Sequence, residues 1–168
     1  MVSVKTPFQR IDIYDIITLK NKKKRLESYK EWLLSSTSQE AHDQPLFHPD
    51  RKIMLDGWIQ SMLYNEALYH EDLVHPAMFS HANPKWVTIV GRGEGAMLRD
   101  VLKHDTVKGA SMIDIDEMMV NVSRECLPEW SDCSDFVGSA PWCVNNAHAS
   151  VYYKAALAWF VDQYSYGN

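Results

Sequence analysis

The apolar positions of this chain change period along its length, and each change marks a change of structure. Over residues 8–16, Ile11 and Ile13 fall on one side and Arg10, Asp12 and Tyr14 on the other, the period-two pattern of a half-buried strand. Residues 52–55 and 58–62 show strand character on either side of Asp56-Gly57, a pair suited to a tight hairpin turn, so an N-terminal antiparallel sheet is expected. Between them, Leu26, Tyr29, Trp32 and Leu33 recur at helical spacing, and a polar stretch with prolines follows over 35–50. The insert spanning 18–50 therefore reads as one helix plus a surface loop. Residues 65–79 read as a helix broken at Pro76, because proline lacks a donor and disfavours helix in the residue before it. Beyond residue 85 the class changes to βαβα: strand 86–90, helix 96–103 with Leu98, Val101 and Leu102 inward, strand 110–113, and a helix capped by Asp116. Strand 150–153 and helix 155–163 complete the alternation, while residues 130–149 carry no period and read as a loop. The fold class expected is α/β. A small N-terminal antiparallel β-hairpin region over 1–64 precedes the first half of a Rossmann-like, methyltransferase-type parallel sheet over 65–168.

The strand-to-helix junction carries the candidate chemistry. Trp86-Val-Thr-Ile-Val90 runs into Gly91-Arg-Gly-Glu-Gly95, and Asp114 follows about 20 residues after the turn, the order in which a glycine turn and an acid hold a nucleoside and its ribose diol. Gly91, Gly93 and Gly95 let the backbone approach a ligand closely. Glu94 in the same turn either faces a cationic group or complements the dipole of the following helix, and Asp114 could instead cap the turn after its strand.

Composition narrows the classes. With 168 residues, 46% of them hydrophobic, the chain suits a soluble domain or a domain plus part of another. The net charge of −5 argues against a general nucleic-acid binder and suits a cationic ligand. No apolar run approaches the roughly 18 residues of a membrane span, and the first 15 residues lack a signal-peptide core, so a soluble protein is expected, cytoplasmic by default with an organelle left open. Cys126, Cys133 and Cys143 form no close metal-binding pair and read as free thiols. The histidines of His70-Glu-Asp-Leu-Val-His75 are five apart where a helical zinc pair needs four, so no metal site is expected. Lys22-Lys-Lys-Arg25 reads as a solvated face, and Met112, Met118 and Met119 as core packing.

Seven short motifs stand in one order: Lys5-Thr-Pro-Phe-Gln9, Leu55-Asp-Gly-Trp-Ile-Gln60, Leu68-Tyr-His-Glu71, His75-Pro76, His81-Ala-Asn-Pro-Lys85, Gly91-Arg-Gly-Glu-Gly95 and Met112-Ile-Asp-Ile-Asp116. In this order the chain resembles the polyamine aminopropyltransferases, the spermidine and thermospermine synthases, from its first strand to Gln163 apart from the insert. The resemblance implies transfer of an aminopropyl group from decarboxylated S-adenosylmethionine to a polyamine amine, a displacement at a carbon beside a sulfonium. Both substrates are cationic, so a site for them needs acids, neutral acceptors and a base. By resemblance, Gln9 and Gln60 contact the nucleoside or its aminopropyl chain, Glu94 faces the aminopropyl ammonium, Asp114 binds the ribose hydroxyls, and Tyr69 and His70 line the junction with the acceptor amine.

Departures from the family pattern set further expectations. Ala155 stands where the family has an acid for the adenine amino group, and Arg92 replaces a loop glycine, placing a cation near the sulfonium. The family's Asp-x-x-Asp-Pro segment, which supplies the proton acceptor, does not occur in these residues. No catalytic residue is therefore assigned, no cofactor is expected to be bound tightly, and decarboxylated S-adenosylmethionine or methylthioadenosine is the possible ligand. The expected function is that of an aminopropyltransferase-like protein inactive as this chain alone. The alternative is a non-catalytic pseudoenzyme serving as a binding or structural subunit. In the family's sheet strand 86–90 is central, so a protein partner or second copy is expected to cover its edge.

Overall fold

The computed structural model describes residues 1–16, 50–135 and 142–166. The helix and loop expected within 18–50 lie outside the described residues, apart from residue 50 itself.

Four strands form the N-terminal antiparallel sheet: β1 (Val2–Lys5), β2 (Arg10–Ile16), β3 (Asp50–Leu55) and β4 (Trp58–Met62), paired in sequence order. The hairpin forms where Asp56-Gly57 predicts it. Both residues take positive φ, 49° and 84°, the twist that joins antiparallel strands in two residues. Ile11, Ile13 and Ile53 are buried as their alternation requires, with Ile13 directly opposite Ile53. One detail differs from the expected strand. Asp12, on the supposedly polar side, is buried because Ser3 of β1 and Arg10 both hold its carboxylate, at 2.5 and 2.7 Å. The strand supplying Ser3 is too short to announce itself by periodicity.

The second half is a three-stranded parallel sheet, β5 (Trp86–Val90), β6 (Gly109–Asp114) and β7 (Ala149–Tyr153), in the order β5-β6-β7. Helices α1 (Glu66–Ser80), α2 (Ala96–Leu102), α3 (Glu117–Cys126) and α4 (Ala156–Tyr166) accompany it. Asp116 caps α3 as expected, its side chain accepting from the Met118 amide. Helix α1 does not break at Pro76. It runs through to Ser80, because Val74 and Met78 on either side of the proline are buried in the core with Leu98 and Val101 of α2, and that packing offsets one missing hydrogen bond.

Three further expectations are corrected. Cys133 and Cys143 are joined in a disulfide, leaving Cys126 as the free thiol. The bridge between Asp132 and Trp142 brings the two Cα atoms to 5.1 Å, a proximity that sequence spacing does not reveal. The loop expected over 130–149 is interrupted within its described residues, 130–135 and 142–149: short 3-10 turns form at Pro128–Ser131 and Cys143–Asn145, and Trp130, Cys133 and Cys143 are fully buried. Met118 is 45% exposed rather than packed, while Met112 and Met119 are in the core.

A second buried cluster ties the two sheets together. Ile11, Ile13 and Ile53 from the antiparallel sheet meet Ala96, Met119, Val122, Leu127 and Trp130, and the Trp130 indole N–H donates to Ser61 of β4 at 2.8 Å. Thr6, in the turn between β1 and β2, donates to Asp116 at 2.7 Å. The N-terminal sheet is thereby fixed over the loop that follows β6.

Candidate functional site

The turn after β5 is built for close approach. Gly91, Arg92 and Gly95 all have positive φ, at 77°, 65° and 85°, a conformation that side chains disfavour. A Cβ at Gly93 would lie 2.9 Å from Met119 and 3.0 Å from the Asp114 carboxylate, so only glycine fits between the turn and α3. At Gly91 a Cβ would meet nothing within 4 Å, so that side of the turn is open.

Asp114 ends β6 against this turn. One carboxylate oxygen accepts from the Gly93 amide and the other from the Asp116 amide, both at 2.9 Å. Burial raises its pKa above the ordinary carboxylate value; the two amide hydrogen bonds oppose the shift, and the neighbouring Glu94 and Asp116 charges add to it. Asp114 therefore secures its turn, as its simpler reading requires, and also presents a buried carboxylate beside the glycines. Gln9 reaches the same place, its amide donating to Asp116 at 3.1 Å.

Glu94 is buried and lies between two cations. His70 Nε2 is 3.3 Å from its carboxylate and Arg92 Nη1 is 3.7 Å away. Arg92 also donates to the Tyr69 hydroxyl at 2.5 Å, with its guanidinium carbon 5.1 Å from the centre of that ring. His70 is fully buried. Its Nδ1 donates to the Glu66 carbonyl at 2.7 Å and lies 3.3 Å from the Glu66 carboxylate. Burial opposes its charge, but the hydrogen bonds to Glu66 and Glu94 outweigh that cost and raise its pKa to about 9, so the ring is an imidazolium at neutral pH. It acts on the site by holding Glu94 from below, while Tyr69, 40% exposed, stands at the surface.

Tyr69, Arg92, Glu94 and His70 form one chain of contacts and Gln9, Asp116, Asp114 and Gly93 another, and the turn from Gly91 to Gly95 carries members of both. Gln60 is exposed on β4, and its hydrogen bond, at 3.4 Å, goes to the Trp58 carbonyl of its own strand. Ala155 is exposed just before α4, its carbonyl accepting from Trp159 at 3.1 Å. Sequence reasoning missed the support beneath the site. Glu66 binds Arg99 through both carboxylate oxygens at 3.1 Å, and Arg99 in turn contacts Asp100 and the Glu129 carbonyl. The available signal was Glu66 four residues before His70 on a helix. Among the described residues no cluster of three or more potential metal ligands occurs, and no helix is long and apolar enough to cross a membrane.

An antiparallel sheet fixed over a Rossmann-like half, with two buried carboxylates around a glycine turn, defines an α/β protein. The chain belongs to the spermine/spermidine synthase family: the spermine/spermidine synthase domain matches residues 66–153. It is 59% identical over 80 residues to polyamine aminopropyltransferase 1 of Hyperthermus butylicus, covering 48% of this chain and 27% of that relative. To polyamine aminopropyltransferase 2 of the same organism it is 39% identical over 119 residues, 67% of this chain and 38% of the relative. Spermidine synthase from Thermotoga maritima is similar in structure, with a TM-score of 0.64 and 27% identity over 97% of this chain and 43% of that one. The chain therefore spans less than half the length of these relatives.

Proposed function

We propose that residues 1–168 form the donor-binding part of a polyamine aminopropyltransferase and do not complete the transfer alone. The observation that carries the reading is the pair of buried carboxylates at one glycine turn, Glu94 within it and Asp114 against it, with Tyr69 partly exposed beside them; in this reading Asp114 takes the ribose, Glu94 the aminopropyl ammonium, and Tyr69 the junction with the acceptor. In the transfer, an acceptor amine attacks the carbon beside the sulfonium, the carbon–sulfur bond breaks with its electron pair going to sulfur, and the amine loses a proton to a base. The chain contains no Asp-x-x-Asp-Pro segment to serve as that base. Decarboxylated S-adenosylmethionine is the donor and methylthioadenosine the product left at the site.

Calorimetry with methylthioadenosine tests the nucleoside half of this reading. A charge-assisted hydrogen bond to a diol contributes roughly 1.5–3 kcal/mol, so Asp114→Ala is expected to weaken binding by about one to two decades. Equal binding by both proteins would remove Asp114 from the ribose site.

A second reading, that of a non-catalytic subunit in an assembly, is favoured by the edge of the parallel sheet. Among the described residues β5 has β6 on one side and no strand on the other, with Trp86 78% and Val90 55% exposed. An apolar strand with unpaired backbone groups recruits another strand or a covering surface, and we propose a second chain there. Light scattering on purified residues 1–168 should then give a mass above the monomer. A strictly monomeric protein at all concentrations would exclude the subunit reading.

A further inference from the structure

We infer that His70 is an exchangeable cation of the site: when the ammonium of a thioadenosine ligand reaches Glu94, His70 gives up its proton to solvent. Binding of the donor's aminopropyl group is thereby coupled to proton release from beneath the glycine turn. The inference rests on the nucleoside reading above and concerns the charge around Glu94. Both neighbouring cations approach one oxygen of that carboxylate, His70 Nε2 at 3.3 Å and Arg92 Nη1 at 3.7 Å from Oε1. Among the described residues no hydrogen bond or ion pair falls on Oε2, yet Oε2 is not among the buried polar atoms left without a partner. It therefore keeps access to solvent, and a ligand's ammonium can reach it.

The acids around the site favour a cationic ligand as a whole. On α1, Glu66 lies 3.3 Å from His70 Nδ1, and Arg99 of α2, which holds both Glu66 oxygens at 3.1 Å, is itself matched by Asp100. Beyond Glu94, Asp114 and Asp116 add two negative charges, and their oxygens accept from backbone amides and from Thr6 and Gln9. The conflict is local to Glu94, where an incoming ammonium meets the charges of His70 and Arg92. An arginine cannot shed its proton and an imidazolium can. The proton leaves from Nε2, because Nδ1 donates at 2.7 Å to the Glu66 carbonyl, an oxygen that only accepts. The Glu94 charge that held that proton is then left to the ligand. Burial opposes the His70 charge, and the empty site keeps it up to about 9 through Glu66 and Glu94. An ammonium about 6 Å from the ring, at an effective dielectric of about 20, weakens proton binding by about a hundredfold, which brings the exchange close to neutral pH.

Linkage makes the effect reciprocal, so affinity for an ammonium-bearing ligand rises with pH from about 7 until the empty site also loses its proton near 9. The ligand's own ammonium stays charged in this window, since an alkylamine of lysine type titrates at roughly 10.4. Calorimetry on residues 1–168, in buffers of different ionisation enthalpy, compares 5′-(3-aminopropylthio)-5′-deoxyadenosine with methylthioadenosine, which lacks the ammonium. Between about pH 7 and about pH 8.5 the aminopropyl compound is expected to gain about tenfold in affinity relative to methylthioadenosine, and to release most of one proton on binding at about pH 8. Nuclear magnetic resonance of the imidazole nitrogens in the unmutated protein identifies the source. His70 should pass from imidazolium to neutral ring on saturation with the aminopropyl compound and stay charged with methylthioadenosine. His70→Gln should remove the pH dependence of the affinity ratio. A ratio that does not change with pH in the unmutated protein, a ratio that still rises in His70→Gln, or a His70 that keeps its proton in the aminopropyl complex overturns the inference, while methylthioadenosine binding keeps the nucleoside reading. Failure of both ligands to bind overturns both.

Discussion

Trp130→Ala is expected to destabilise the protein by about 3–5 kcal/mol, measured as a shift in the urea or thermal midpoint, the cost typical of truncating a fully buried tryptophan. Trp130 is 0% exposed and stands where the antiparallel sheet meets the Rossmann-like half, packed with Ile11, Ile13, Ile53, Met119 and Leu127. Its loss opens a cavity at the junction and leaves the Ser61 hydroxyl without its donor. A second consequence separates this residue from an ordinary core position. The junction positions the turn bearing Thr6 and Gln9 over Asp116, so nucleoside affinity should fall along with stability. A loss below about 1 kcal/mol would mean that the two halves are held by other contacts.

Glu66→Gln should cost about 3 kcal/mol at neutral pH, because it removes one member of a buried charge network and leaves the others uncompensated. The Glu66 side chain is 11% exposed and Arg99 9%, so solvent screens the pair little. The pH dependence gives a further check. His70 has its folded pKa raised to about 9 against an ordinary value of 6.5. Below 6.5 both folded and unfolded chains carry the proton, and the stabilisation is fully present. As pH rises past 6.5 the unfolded chain releases its proton first, so stability declines until about 9. Glu66→Gln should flatten that decline, since hydrogen bonding to Glu66 is the foremost favourable influence on the His70 charge. An unchanged pH slope in the variant would assign the His70 shift to Glu94 instead.

Much of the local structure was legible from neighbouring residues. Ile11 and Ile13 alternate because a strand turns successive side chains to opposite faces, and the structure buries both. Asp56-Gly57 forms the hairpin because those two residues tolerate positive φ. The strand, glycine turn, helix and acid from Trp86 to Asp114 appear in the expected order, since spacing along the chain sets how β5, α2 and β6 succeed one another. Pro76 misled for the same reason. A local rule reports what a proline costs a helix and is silent on what Val74 and Met78 gain by packing.

The sequence by itself determined the two-part α/β architecture, the turn that presents Gly91, Gly93 and Gly95, and the position of Asp114 behind it, because each depends on periodicity or on spacing within one βαβ unit. Only the tertiary structure decided what surrounds Glu94. His70 reaches it from α1, Arg99 supports Glu66 from α2, Gln9 enters from the N-terminal sheet beside Asp116, and Cys133 finds Cys143 across the Asp132–Trp142 bridge. These contacts join residues far apart in the chain through packing and burial. No window of neighbouring residues records which charges will share one desolvated space.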